Sequence, residues 1–286
     1  MDFMSLENKR KSCVKIVVFG YIIAVVGALL TFGLYENQFI GFIVLVIGGI
    51  LLISGYGNFS SISKDFKNKY LKELIQETFE NSSYFPNKGV NVNDVYSSDL
   101  VKKADRYHTE DLITGTFDGV NFMTSDVKLE ERHVRRTKNG TQVYYVTYFL
   151  GRYFSFDFPK DFKSKILVTE GSLMTWFSSY KKIELESVEF NKKFNIYTKN
   201  EHDAFYVLTP HLMESILQLE KQNPGSIGLT FTGNRLIVLI NNGINTFELS
   251  LFKRVDQTVI NNLNRDLAVI KKIINDLKLN RKIFVD

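Results

Sequence analysis

The segment KNEHDAFYVLTPHLMESI, residues 199–216, holds the densest cluster of side chains that could bind a metal ion or move a proton. His202 and Asp203 come first, and His211 and Glu214 follow three positions apart. A histidine and a carboxylate at i, i+3 share one face of a helix, as in carboxylate-bridged metal sites. The question is whether this segment is a reactive site or only a structural one.

The elements predicted around these residues separate them. Residues 203–208, DAFYVL, are predicted to form a buried strand after a polar turn. Thr209 is a good N-cap and Pro210 suits a first helical position, so a helix is predicted from residue 210 until the Pro224-Gly225 pair. A strand of that length carries the chain about 17–20 Å. We therefore expect no metal site and no bound cofactor here, and the histidines are interpreted as incidental.

Other signatures of catalysis are missing from the sequence. It has no Gly-x-Ser-x-Gly motif and no glycine-rich phosphate loop. Its single cysteine, Cys13, excludes an intramolecular disulfide and a multi-cysteine zinc site. The sequence therefore predicts that the protein is not an enzyme. The alternative is a hydrolase or metal-dependent enzyme using His202, Asp203 and His211.

Two apolar runs are long enough to cross a bilayer. Residues 16–34 and 39–56 carry no charge, and as helices each would be roughly 27–29 Å long. Only four residues connect them, so residues 16–57 are predicted to form a two-span hairpin in the lipid bilayer. Lysine and arginine flank the outer ends of the hairpin, whereas the connection has neither. The positive-inside rule then places both termini in the cytoplasm, at an inner membrane.

Small residues are spaced for close packing within this hairpin. Gly20, Ala24 and Ala28 recur every four residues in the first run, and Gly41, Gly48 and Gly55 recur every seven in the second. Stripes of this kind let helix backbones approach each other closely. They predict the faces on which the two helices meet.

The rest of the chain has the composition of a folded domain, with 44% hydrophobic and 14% aromatic residues. A basic N-terminus, residues 1–15, precedes the hairpin, and an amphipathic connecting helix is predicted over residues 58–82. Residues 83–286 are predicted to form a cytoplasmic α+β domain with a mostly antiparallel sheet and flanking helices. Residues 81–89, NSSYFPNKG, are interpreted as a turn, and residues 226–241 as a hairpin about Gly233-Asn234.

Several motifs of this domain resemble the bacterial DUF3137 family. Residues 148–168, YFLGRYFSFDFPKDFKSKILV, are similar to its aromatic-x-x-Gly-x-aromatic block, and residues 188–221 to its Phe-x-x-x-Phe block with the Ala-x-Tyr-x-Leu-Thr-Pro junction. The resemblance covers roughly residues 105 to 255. It implies membrane spans ahead of the domain and names no activity. Its motifs require neither His202 nor His211.

A basic hairpin is the remaining candidate for binding. Arg132, Arg135, Arg136 and Lys138 lie about an Asn139-Gly140 turn. On a domain tethered to a membrane, such a tip can contact anionic lipid headgroups or a partner protein. Nucleic-acid binding is disfavoured, because the aromatic residues nearby are predicted to alternate into the core. The sequence therefore predicts a membrane-anchored cytoplasmic interaction module with a lipid or protein partner.

Overall fold

The computed structural model describes residues 3–33, 38–138, 140–171 and 179–280. These residues form two compact units. The first comprises Met1–Leu74 with Phe247–Asn264, and the second comprises Ile75–Thr246 with Arg265–Asp286.

The described helices and strands confirm the α+β class. The α-helices are α1 (Phe3–Gly33), α2 (Gln38–Asp65), α3 (Lys72–Thr78), α4 (Val92–Ser97), α5 (Val188–Lys193), α6 (Glu201–Val207), α7 (Pro210–Gln222) and α8 (Gln257–Asp276). The strands are β1 (Glu80–Phe85), β2 (Arg106–Phe117), β3 (Val120–Thr137), β4 (Gly140–Glu170), β5 (Lys181–Ile183), β6 (Phe194–Thr198) and β7 (Ser226–Asn241). A π-helical segment, Phe66–Leu71, joins α2 to α3.

Two helical stretches, Met4–Gly33 and Gln38–Thr78, are each long and apolar enough to cross a membrane, and their apolar runs belong to the first unit. Their predicted contact faces are confirmed. Gly41, Gly48 and Gly55 are the buried residues of α2, and a Cβ atom on Gly48 would lie 2.6 Å from the backbone nitrogen of Ala24. Large apolar side chains cover the outer faces of both helices and are exposed, as expected of helices surrounded by lipid. The predicted connection at residues 34–37 lies outside the described residues.

A buried ion pair fastens the beginning of α1 to another segment of the first unit. Arg10 Nε and Nη2 donate to the two carboxylate oxygens of Glu7, each at 2.8 Å. Arg10 Nη1 also donates to the Leu251 carbonyl oxygen at 2.5 Å, and the Val255 amide donates to Glu7 Oε2 at 2.9 Å. Both charged side chains are less than a tenth exposed. We call these four residues the N-terminal clamp.

The second unit is built on one seven-stranded sheet in the order β1-β2-β3-β4-β6-β5, with β7 also paired to β4. All described strand pairs are antiparallel. The long strand β4 organises the sheet because its first half pairs with β3, its last residues pair with β6, and residues 151–169 pair with β7. Its buried aromatic residues, including Phe149, Tyr153 and Phe154, supply much of the core.

The predicted strand at residues 203–208 is wrong, because residues 203–207 belong to helix α6 and Leu208 is its C-cap. The Asn200 side chain accepts a hydrogen bond from the His202 amide and caps the helix. Ala204 and Val207 are buried at helical spacing, whereas Phe205 lies outward. The cap and this periodicity favour the helix over the β propensity of the aromatic residues.

The hairpin predicted within residues 226–241 is also wrong. These residues form a single strand, β7, whose two halves both pair with β4. Gly233 has a φ of 52° and lies opposite Phe162, where the register of the pair shifts on both sides. The glycine therefore accommodates an irregularity in a continuous strand and does not reverse the chain.

Residues 80–85, at the start of the segment interpreted as a turn, form the edge strand β1. Asn81 has a φ of 48°, and the register with β2 shifts between Glu80 and Ser83. The polar residues thus occupy a bulged edge strand, a place where such residues are tolerated. Helix α7 does begin at Pro210, and the Thr209 side chain caps it by accepting from the Leu212 amide, as predicted.

Candidate functional site

The basic hairpin of the sequence projects as the ends of β3 and β4. We call residues 131–146 the basic ribbon. Register pairs run from Glu131 and Val146 to Thr137 and Gly140, so this is a two-stranded antiparallel element. The turn residue Asn139 lies outside the described residues. Between residues 132 and 147 the chain has four lysine or arginine residues and no aspartate or glutamate.

Both faces of the basic ribbon are open to solvent. Its four basic side chains, Arg132, Arg135, Arg136 and Lys138, are all exposed. Apolar side chains lie among them. Val134 is 48% exposed, its cross-strand partner Val143 is 46% exposed, and Tyr144 is 48% exposed. The ribbon therefore combines positive charge with exposed apolar and aromatic surface, which is the composition of a binding surface more than of a solvated loop.

A β-bulge explains why the predicted alternation fails here. Leu129 pairs with Phe149 but Glu130 pairs with Thr147, which leaves Tyr148 as an extra residue on β4. The sequence predicted one buried face through Val143, Tyr145, Thr147 and Phe149, and of these only Phe149 is buried. The Tyr148 hydroxyl donates to the Lys102 carbonyl oxygen at 2.5 Å, and burial raises the pKa of Tyr148. The bulge is thus held in place where the ribbon leaves the core.

Acidic side chains are confined to the base of the ribbon. Asp105 accepts from the Arg132 amide at 2.7 Å, and Lys102 forms an ion pair with Glu131 at 2.8 Å. The hydrogen bond from Lys102 lowers the pKa of Glu131. Because these carboxylates lie at the base, the charge of the outer part of the ribbon is purely positive.

The aromatic rings of the ribbon each have a partner on one face. The guanidinium carbon of Arg106 lies 3.4 Å from the centroid of the Tyr145 ring, and the His133 ring stacks on Tyr144 at 5.5 Å. The premise that these aromatics point into the core is wrong. Their covered faces nevertheless leave less ring surface for stacking with nucleic-acid bases.

The histidine and carboxylate cluster is distributed over separate contacts. His202 and His211 are exposed, and His211 Nδ1 lies 3.3 Å from Ser215 Oγ in its own helix. Asp203 accepts a hydrogen bond from Ser164 of β4. Among the described residues, no hydrogen bond or ion pair joins His202, Asp203 and His211 to one another. The prediction that a strand of about 17–20 Å separates His202 and Asp203 from His211 is wrong, because these residues are joined by helix α6, which is only about 10 Å long.

A known protein family matches the region that runs from within β4 through α8. Residues 147–279 match the model of DUF3137, which is described as a protein of unknown function. This stretch belongs to the DUF3137 family. The resemblance seen in the sequence is confirmed, although the match begins later and extends through α8. The glycine of the first family motif, Gly151, has a structural reason: a Cβ atom there would lie 1.9 Å from the Ile240 carbonyl oxygen of the paired strand.

No curated protein matches this chain. Among solved structures, the crystal structure of the mycobacterial trehalose monomycolate transport factor A is similar with a TM-score of 0.39 and 7% sequence identity. The similarity covers 72% of this chain and 93% of that one. A TM-score of this size supports no conclusion about the function of this protein.

Proposed function

We propose that this protein is a non-catalytic interaction module of a bacterial inner membrane. Helices α1 and α2 anchor it as a two-span hairpin, with the segments before and after the hairpin in the cytoplasm. The basic residues flanking the hairpin support this orientation. The basic ribbon binds anionic lipid headgroups. The observation that carries this proposal is the exposed ribbon with four basic side chains and no carboxylate in its outer part.

Lipid suits the ribbon better than a nucleic acid does. Basic residues near an anionic leaflet contribute about 1 kcal/mol each, so four give about 4 kcal/mol before screening and ordering costs. Tyrosine and valine side chains beside them match the amphipathic membrane interface. Bases of a nucleic acid would need open ring faces, and Tyr144 and Tyr145 each have one face covered.

A single fluorescent label tests the lipid contact. In full-length protein with Cys13→Ser, Gln142→Cys places an environment-sensitive dye on the exposed ribbon, and Lys182→Cys places it on an exposed residue of β5. The protein is reconstituted into vesicles of phosphatidylcholine with or without phosphatidylglycerol. We expect a blue shift at position 142 only with the anionic lipid, and its loss at high salt because the interaction is screened.

Matched charge variants show whether the blue shift depends on the charge of the ribbon or on the total charge of the protein. Arg135→Gln, Arg136→Gln and Lys138→Gln together should abolish the blue shift. The control triple variant has glutamine at three exposed lysines outside the ribbon, Lys182, Lys192 and Lys199. It removes the same amount of charge, and the blue shift should persist in it. Equal emission in both lipids, or equal loss in both triple variants, would refute the lipid contact. A shift caused by added oligonucleotide and not by lipid would also refute it.

The predicted topology has its own test. A reporter fused after residue 286 should be active only in its cytoplasmic form, because the two spans return the chain to the side on which it began. Periplasmic activity of that fusion would contradict the two-span orientation.

A further inference from the structure

A cavity of about 350 Å³ lies in the second unit, independent of the basic ribbon. One wall is the exposed beginning of the second-unit part of α8, with Arg265, Val269 and Lys272. The floor is the sheet, with Phe154 of β4 and Ile240 of β7. The segments 222–224 and 242–246 complete the rim. This volume falls at the lower end of the range for small-molecule sites, about 300–1,000 Å³.

The floor of the cavity carries a fixed buried charge. Arg152 lines it, donates through Nη1 to the Asp266 carbonyl oxygen at 3.0 Å, and through Nη2 to Thr124 Oγ1 at 3.3 Å. Its Nε lies 3.4 Å from the buried Asp126 carboxylate, which also accepts from the amide and hydroxyl of Thr246. These contacts hold the guanidinium in one position, so a ligand meets a preorganised floor.

The rim of the cavity is more positive than its floor. Arg265 and Lys272 are exposed there, and the one carboxylate of the lining is Asp266, whose oxygen lies 3.8 Å from Arg265 Nε. Counting Arg152, Arg265 and Lys272 against Asp126 and Asp266 leaves one net positive charge. Next to these groups are the apolar side chains of Phe154, Ile240 and Val269, which suit an apolar group of a ligand.

We propose that this cavity binds a small organic anion with one apolar group, of the size of an aromatic carboxylate. The anionic group lies between Arg265 and Lys272, and the apolar group lies against Phe154, Ile240 and Val269. Charge favours an anion over a cation, and the volume of about a dozen water molecules limits the ligand to a small molecule. The proposal does not depend on the lipid contact of the ribbon.

Fluorine NMR of the full-length protein in phosphatidylcholine nanodiscs tests the cavity. The probe is 4-(trifluoromethyl)benzoate, and the neutral 4-(trifluoromethyl)benzamide has the same shape. Empty nanodiscs report partitioning into lipid. We expect saturable binding of the benzoate with a dissociation constant of about 1 mM, the level expected of a ligand with about a dozen non-hydrogen atoms. The benzamide should bind at least about tenfold more weakly, which corresponds to one charge-assisted contact.

Two pairs of variants locate the binding site. Arg265→Gln with Lys272→Gln should weaken benzoate binding by about tenfold or more, whereas Lys182→Gln with Lys192→Gln removes the same charge elsewhere and should not. Val269→Phe fills the apolar side of the cavity and should also weaken benzoate binding. Its control is Val188→Phe, which enlarges a side chain that is 66% exposed on α5 and should leave benzoate binding unchanged. The charge variants change side chains at the protein surface, so they are expected to fold.

Three results would overturn the proposal. The first is the absence of saturable benzoate binding above that of empty nanodiscs. The second is equal binding of benzoate and benzamide, which would remove the role of charge. The third is unchanged binding in both cavity variants, which would place the ligand elsewhere.

Discussion

The N-terminal clamp offers the sharpest test of how α1 is held in the first unit. Glu7→Gln keeps the size of the side chain and an oxygen that can accept from the Val255 amide, but it removes the charge that Arg10 binds through two hydrogen bonds at 2.8 Å. Hydrogen bonds to charged groups contribute about 1.5–3 kcal/mol each. Arg10 then remains buried without its carboxylate, a situation that is strongly destabilising.

The acidity of Glu7 gives a second measure of the same interaction. Glu7 lies nine residues before the apolar run that begins at Ile16, and the hydrogen bonds from Arg10 lower its pKa from 4.5 to about 2. A difference of that size corresponds to an upper limit of about 3.4 kcal/mol. Solvent screening near the end of the helix reduces this value, so we expect a cost of about 1.5–3 kcal/mol.

Hydrogen exchange of the full-length protein in nanodiscs measures that cost locally. Because the Val255 amide is part of the clamp, a peptide covering residues 247–256 should exchange about 10- to 150-fold faster in Glu7→Gln at pH 7. Glu73→Gln, at an exposed glutamate of α3, is the control and should leave this peptide unchanged. If the two variants exchange at the same rate, the clamp does not hold this segment.

The pH dependence of the clamp follows from the lowered pKa. A carboxylate whose pKa is lowered by folding stabilises the protein fully above its unfolded pKa of about 4.5, and the contribution is lost as the pH falls towards about 2. The logarithm of the ratio of exchange rates, variant over wild type, should therefore be less than half as large at pH 3 as at pH 7. A ratio that stays constant between pH 7 and pH 3 would show that the charge of Glu7 is not the cause.

Three further substitutions test particular contacts by thermal unfolding of the full-length protein in nanodiscs. Gly48→Leu should lower the melting temperature by several degrees, because the leucine side chain would meet the backbone of the facing helix. Gly49→Leu is the control and should not lower it, because a Cβ atom there would meet no atom within 4 Å. Equal effects of the two substitutions would contradict the packing face. Gly151→Ala should be more damaging than Gly171→Ala, because only the first would clash with the paired strand, and the reverse order would refute the close approach. Thr209→Ala should cost about 1 kcal/mol and Thr209→Ser much less, and a serine variant as unstable as the alanine variant would exclude capping as the reason.

The sequence was informative where a local rule acts alone. The Thr209-Pro210 pair determines the start of α7 through one cap and one fixed backbone angle, and both are properties of adjacent residues. The contact face of Gly41, Gly48 and Gly55 was predictable for a similar reason, because close packing of apolar helices requires small side chains at regular spacing.

It failed where tertiary partners decide between two local preferences. Phe205 and its neighbours have high β propensity, yet the burial of Ala204 and Val207 at helical spacing places them in a helix. Gly233 resembles a turn residue, yet pairing with the long strand β4 on both sides keeps β7 continuous. In each case the deciding contact is distant in sequence or depends on which face is buried, and neither is visible in a short window.

The bulge at Tyr148 shows how one residue changes the candidate function. Side chains of a strand alternate between two faces, so a single extra residue reverses the face on which every later residue lies. If the strand had no bulge, strict alternation counted back from the buried Phe149 would place Tyr145 and Val143 on the core face, and the hairpin would be only a polar turn. With the bulge, and with no further strand covering either face of the described ribbon, apolar and basic side chains are exposed together. The surface that we propose for lipid binding therefore arises from an irregularity of the sheet, which is why the alternation of the sequence concealed it.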